Sequence, residues 1–185
     1  MSILESTKQF APAGTWAADP VHSNVSFEVG YAGVNTFRGS FTDFQATLTG
    51  GDTPSLEGSA KVASVDVKDE AFNGHLQSPD FFDAERYPEI SFTATELRRN
   101  DDNTVEGSGE LTIKGVTQPI ELTGTIAAAP ATDPMGRERL GLSLETAIDR
   151  TQYGVSWNAP NQSGGDYVGN DVKLIVELAF LKAAE

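Results

Sequence analysis

The chain has 185 residues, 38% of them hydrophobic, which excludes global disorder and is enough for one domain with a sizeable core. Thirteen basic residues stand against 27 acidic ones, a net charge of -14, so phosphate backbones and anionic lipid surfaces repel it; neither nucleic acid nor stable membrane insertion is expected. With no cysteine and two histidines, His22 and His75, disulfides, thiolate nucleophiles, iron–sulfur clusters and His-rich metal sites are excluded.

Residues 1–14 read as a loosely held arm, and one domain is expected over residues 15–182. Glu5 stands where a secretion signal would have its apolar segment, so a cytoplasmic location is expected. From Trp16 onward strand follows strand. Val25, Phe27, Val29 and Tyr31 alternate with polar or small residues, the period of a half-buried strand. Phe44, Ala46 and Leu48 repeat the pattern, and Gly50 to Pro54 make a turn. A third strand is expected from Ala60 to about Val67. The alternation then breaks. Asp69 and Glu70 suit the first turn of a short helix that ends at Ser78–Pro79, followed by a turn holding Phe81 and Phe82.

Strands resume with Ile90, Phe92 and Ala94. After a turn at Asn100–Asn103 come Val105, Gly107, Gly109, Leu111 and Ile113, then a tight turn at Lys114–Gly115. Ile120, Leu122, Gly124 and Ile126 follow, then a loop over residues 127–136. Leu140, Leu142, Leu144, Thr146 and Ile148 form the next face, and Val172 to Phe180 the last. That final run is interrupted by Glu177, and no stretch approaches the ~20 apolar residues of a membrane span. Eight or nine long strands, hairpin links and one helix predict an all-β, antiparallel up-and-down barrel, ahead of an immunoglobulin-type sandwich. A barrel of about eight strands holds one small ligand. Inward glycines Gly107, Gly109 and Gly124 either leave room for it or mark bulges.

Several segments occur in a telling order: Trp16 to Ser23 leading into Val25-x-Phe27, Gly39-x-Phe41-x-x-Phe44, Gly74 to Asp83, Tyr87–Pro88-x-Ile90-x-Phe92, Gly109 to Pro119, and Asp149–Arg150–Thr151-x-Tyr153–Gly154. Together they resemble the YceI-like family of polyisoprenoid-binding proteins, over residues 14 to 181. The resemblance implies an elongated lipocalin-like barrel, often a homodimer, that encloses a long isoprenoid or similar amphiphile. It implies no catalytic residue and no cofactor beyond that lipid. It points to the signal-less, cytoplasmic branch. Asn73–Gly74 departs from the charged pair that many members place before the histidine.

The candidate ligand contacts are His22, Phe27, Phe41, His75, Phe81, Phe82, Phe92, Arg150 and Trp157. His22 either meets a ligand head group or bonds backbone at the chain entry. His75 either faces the barrel interior or packs the helix onto it. Phe81 and Phe82 either anchor the helical segment to the barrel or line its tunnel, while Phe27, Phe41 and Phe92 belong to the interior, where core and lipid pocket are built from the same residues. Arg150 pairs with a ligand anion or with Asp149 or Asp166, and Tyr153 and Trp157 would rim the mouth. The acidic residues around Asp69 and Asp83 read as a solvated face. The first expectation is therefore a non-enzymatic lipid carrier. The alternatives are an enzyme with His75 as general base and a barrel filled by its own side chains.

Overall fold

The computed structural model describes residues 8–162 and 164–184; half of the expected arm, residues 1–7, lies outside them. In chain order the elements are β1 (Gly14–Ala18), β2 (Asn24–Tyr31), β3 (Asn35–Phe41), β4 (Phe44–Gly50), β5 (Ser55–Lys61), β6 (Val65–Asp66), α1 (Glu70–Gln77), β7 (Glu89–Arg99), β8 (Thr104–Ile113), β9 (Val116–Ile126), β10 (Ala131–Thr132), β11 (Glu138–Asp149) and β12 (Val168–Lys182). Every pairing is antiparallel, and the β11–β12 ladder closes the sheet into a barrel.

The short strands combine into eight long ones. One edge of β12 pairs first with β2 and then with β1, so β1 and β2 are one strand interrupted at residues 19–23. β3 and β4 are likewise one strand, because β2 pairs with β3 and β1 with β4. β5 and β6 are the third, broken by a 3₁₀ turn at Val62–Ser64, since β5 pairs with β4 and β6 with β3. With β7, β8, β9, β11 and β12 they form the expected eight-stranded up-and-down barrel. The third strand starts at Ser55, ahead of its expected start at Ala60.

The barrel has a filled half and a hollow half. Trp16, Leu48 and Phe180 are fully buried in the filled half, with Val105, Leu140 and Leu142 around them. The expected loosely held arm is packed here instead, where it is described. Phe10 and Ala11 are buried, Gly51 N–H donates to the Ala11 carbonyl at 3.0 Å, and Trp16 Nε1 donates to the Pro12 carbonyl at 3.1 Å. Gly109 and Gly124 serve close backbone approach. A Cβ at Gly109 would overlap the Thr93 carbonyl across a bulge in β7, and one at Gly124 would overlap the Ser143 carbonyl. Neither these two nor Gly107 lines the cavity described below.

An ion network ties the β1–β2 break to β11. Arg139 Nη1 lies 3.0 Å from Asp19 Oδ2, and its Nε lies 2.9 Å from Asp133 Oδ2. His22 Nδ1 and Asp19 Oδ2 are 2.7 Å apart. Hydrogen bonds from His22, then Arg139, hold the Asp19 carboxyl down from 3.8 to about 2. A depressed carboxyl contributes stability that is full above its unfolded pKa and is lost as pH falls through its folded one. The melting temperature of the wild type should therefore exceed that of Asp19→Asn at pH 5, and this margin should vanish near pH 2. Thermal unfolding across that range checks it; a margin independent of pH would contradict the assignment.

Candidate ligand-binding site

The hollow half encloses a cavity of about 540 Å³, within the range of small-molecule sites. It lies at the end of the barrel that carries the β2–β3 turn, the β8–β9 turn and the loop from β11 to β12. There β6 is an edge that pairs with β3 alone, and the segment 67–88, with α1 inside it, covers the gap beside it.

Local sequence explains that segment. The Asp69 side chain caps α1 by accepting from Phe72 N–H at 3.0 Å. The Asn73 side chain accepts from Val67 N–H at 2.8 Å, tying the helix to the end of β6. The Ser78 hydroxyl donates to the His75 carbonyl at 2.6 Å and closes the helix, and Lys114 Nζ donates to the Pro79 carbonyl at 2.8 Å. No residue of α1 is fully buried. Asp83 departs from the solvated acidic face expected of it: it is buried, with Arg86 at 3.7 Å.

Register sets the cavity wall. Phe27 pairs with Leu174 and Leu174 with Thr146, so these three share the inner face. Phe41, Phe82 and Phe92 also line the cavity, and the Phe41 ring meets Phe27 at 5.9 Å and Phe82 at 6.0 Å. His75, Phe81 and Trp157 form an aromatic triad. The His75 ring stands edge-on to Phe81 at 5.0 Å and to Trp157 at 4.9 Å, and its Nε2 lies 3.1 Å from Asp80 Oδ2. His75 thus both lines the cavity and packs the helix onto the barrel.

Two of the nine candidates stand otherwise than expected. His22 lies outside the cavity: it is exposed at the β1–β2 break, and its partner is the Asp19 carboxylate rather than backbone or ligand. Arg150 lines the cavity but makes no hydrogen bond or ion pair to a carboxylate among the described residues; Asp166 and Asp149 act on it through their charge alone. Its Nε donates to the Gly169 carbonyl at 2.8 Å, Nη1 to Val155 at 2.7 Å and Trp157 at 3.0 Å, and Nη2 to Val168 at 3.3 Å. It is a buried staple that holds the β11–β12 loop against β12.

Tyr153, which the motif placed at the mouth rim, is 1% exposed. It ends a 3₁₀ turn, Arg150–Tyr153, that Asp149 caps through Thr151 N–H and that stops at Gly154 with φ 74°. The wall is otherwise strongly apolar. Leu56, Leu122 and Leu178 line its deep end, against the filled half.

The YceI-like domain model matches residues 16–180. The chain belongs to the YceI-like family. A UPF0312 protein of Staphylococcus aureus is 30% identical over 171 residues, covering 88% of this chain and 94% of that protein. The structure of a YceI protein from Campylobacter jejuni has a TM-score of 0.69 at 27% identity, over 82% of this chain and 88% of that one. BcnA of Burkholderia cenocepacia gives 0.74 at 23% identity, over 88% and 98%. A polyisoprenoid binding domain from Saccharophagus degradans, implicated in plant cell wall breakdown, gives 0.71 at 13%, over 91% and 98%. The last two share the fold. No helix among the described residues is long and apolar enough to cross a membrane.

Proposed function

We propose that the hollow half takes up one long-chain isoprenoid or similar amphiphile and performs no chemistry on it. The observation that carries this reading is the apolar, dead-ended cavity of about 540 Å³. Transfer of hydrocarbon from water contributes about 0.8 kcal/mol per buried CH2, so a chain of many methylenes needs few polar contacts. The isoprenoid class is favoured by the polyisoprenoid binding domain of Saccharophagus degradans, which shares the fold. The His75–Asp80 pair is read as a tie that keeps α1 over the cavity. Asp80 is half exposed, and neither the imidazole nor the carboxylate is hydrogen-bonded to a nucleophilic side chain among the described residues.

Organic-solvent extraction of the purified protein, followed by mass spectrometry, tests the proposal. A polyprenyl or other long-chain species near one per chain is the expected result. A clean extract, together with no uptake of added polyprenol in native mass spectrometry, would sink it.

A further inference from the structure

We propose that the rim of the cavity mouth is a docking surface for a lipid bilayer of no net charge, with the tip of the β2–β3 hairpin dipping into it. This goes beyond the binding reading above, because it concerns where the mouth rests and is measured without a ligand. Among the described residues Tyr31, Val34 and Phe72 are large hydrophobics exposed to solvent, Val34 at 78%. All three stand at one end of the barrel. Tyr31 and Phe72 line the cavity, and Val34 closes the turn that Tyr31 opens. Phe37, which also lines it, links the two elements, its ring 6.4 Å from that of Phe72. The other exposed ones, Val21 and Met135, stand singly in the β1–β2 break and the β10–β11 turn, which needs no explanation.

The hairpin tip keeps its apolar sequence against a backbone preference. Val34 N–H donates to the Tyr31 carbonyl at 2.9 Å, and the central residues Ala32 and Gly33 have φ of 51° and 70°. A two-residue turn with positive φ at both central positions favours Asn–Gly or Asp–Gly, because those side chains tolerate the left-handed region and alanine does so poorly. The other non-glycine residues with positive φ among those described, Lys68, Asp83, Asn103 and Lys114, are all polar. Alanine at 32 leaves the tip without a polar side chain.

Charge narrows what the rim meets. The chain is 22% charged, yet residues 29–37 and 151–165 carry no charge at all. These segments are joined at the mouth. Ala32 N–H donates to the Tyr167 carbonyl at 2.7 Å, Asn161 Nδ2 donates to the Ala32 carbonyl at 2.8 Å, and the Tyr31 and Tyr167 hydroxyls are 2.7 Å apart. In sequence, charge returns at Arg38, which pairs with Glu28, at Lys68 to Glu70 beside α1, and at Asp166. An uncharged tip backed by two tyrosines suits a bilayer interface, where rings with a polar end are favoured and a fixed charge loses its water. Phosphatidylcholine fits this surface, because an anionic lipid repels a net charge of -14. Three projecting side chains are far fewer than the roughly 20 residues a side of a stable protein interface. Docked this way, the mouth faces hydrocarbon, and a guest passes between bilayer and cavity without crossing water.

Flotation of the purified chain with phosphatidylcholine vesicles, against vesicles of phosphatidylglycerol, tests the proposal. Wild type should float with the first and less with the second, and added salt should narrow the difference by screening the repulsion. Val34→Asp, at a site exposed enough to leave the fold alone, should weaken phosphatidylcholine binding about tenfold or more. Ala32→Asn should weaken it too, while melting at or above the wild-type temperature, since asparagine suits the turn. Wild type that does not float with phosphatidylcholine, a Val34→Asp variant that floats like wild type, or stronger binding to phosphatidylglycerol overturns the inference. A dimer in sedimentation velocity that Val34→Asp dissolves, with no flotation, also overturns it and gives the face to a second copy. Uptake of polyprenol in native mass spectrometry is read separately. Its absence in wild type removes the binding reading, while docking stands or falls on flotation.

Discussion

Replacing Arg150 with methionine is expected to lower stability by about 3–5 kcal/mol, the largest loss of any single change outside the filled half. Hydrogen bonds to a charged group contribute roughly 1.5–3 kcal/mol each and are not additive. Arg150 makes four, to the carbonyls of Val155, Trp157, Val168 and Gly169. Methionine fills a similar space and leaves those carbonyls without their donor. For a chain of this length each kcal/mol moves the melting temperature by about 2–4 °C, so a drop on the order of 10 °C should be read in calorimetry. Arg150→Lys should recover little, because one ammonium cannot reach carbonyls spread around a planar fork. A melting temperature within about 2 °C of wild type would mean that the carbonyls find other partners.

Ala46→Trp should abolish uptake of a long chain while the barrel still folds. Ala46 lies on the inner face of β4 opposite Gly58, and Gly58 in turn lies opposite Phe92. Both Ala46 and Gly58 line the cavity, so an indole at 46 projects over a position with no side chain. It fills void instead of overpacking a dense core. If it displaces four methylenes of a bound chain, the loss is about 3 kcal/mol, or more than a hundredfold in affinity. Titration with a C17 hydrocarbon measures it. Wild-type affinity in a folded Ala46→Trp protein would place the ligand somewhere other than the hollow half.

Much of the barrel was legible because its long strands obey one rule. Leu140 to Ile148 and Val172 to Phe180 alternate cleanly, since one face of each meets the interior and the other meets water. The helix was legible from Asp69 and Ser78, a cap and a stop. β3 was harder to see as a strand. Its inner face is Asn35, Phe37, Gly39 and Phe41, and Gly39 is small because the Phe27 ring occupies the space of its side chain. Apolar periodicity does not report a glycine chosen to admit a neighbour's ring.

The cavity was legible as a class of feature, and its cause was left open, the inward glycines meaning either room or bulges. Gly107, Gly109 and Gly124 hinted at room inside, yet they sit where strands crowd one another. The void arises where β6 leaves the side of β7 and a helical segment covers the gap, which is a matter of topology. The partners of Arg150 were equally hidden. The nearby carboxylates were visible in the motif, but the carbonyls it bonds extend as far as nineteen residues on, across a loop with no periodic pattern to the start of β12. His22 had its partner, Asp19, three residues away, and a histidine–aspartate spacing of that kind is a signal short enough to be read.

The division of the barrel also separates its two tryptophans. Trp16 lies in the filled half with no exposure, and Trp157 touches His75 and Phe81 at the cavity wall. The molecule thus carries two intrinsic fluorophores with different tasks. A guest in the cavity changes the surroundings of Trp157 and leaves those of Trp16 as they were. Emission from Trp157 reports occupancy, and emission from Trp16 serves as an internal reference for the integrity of the fold, with no label attached.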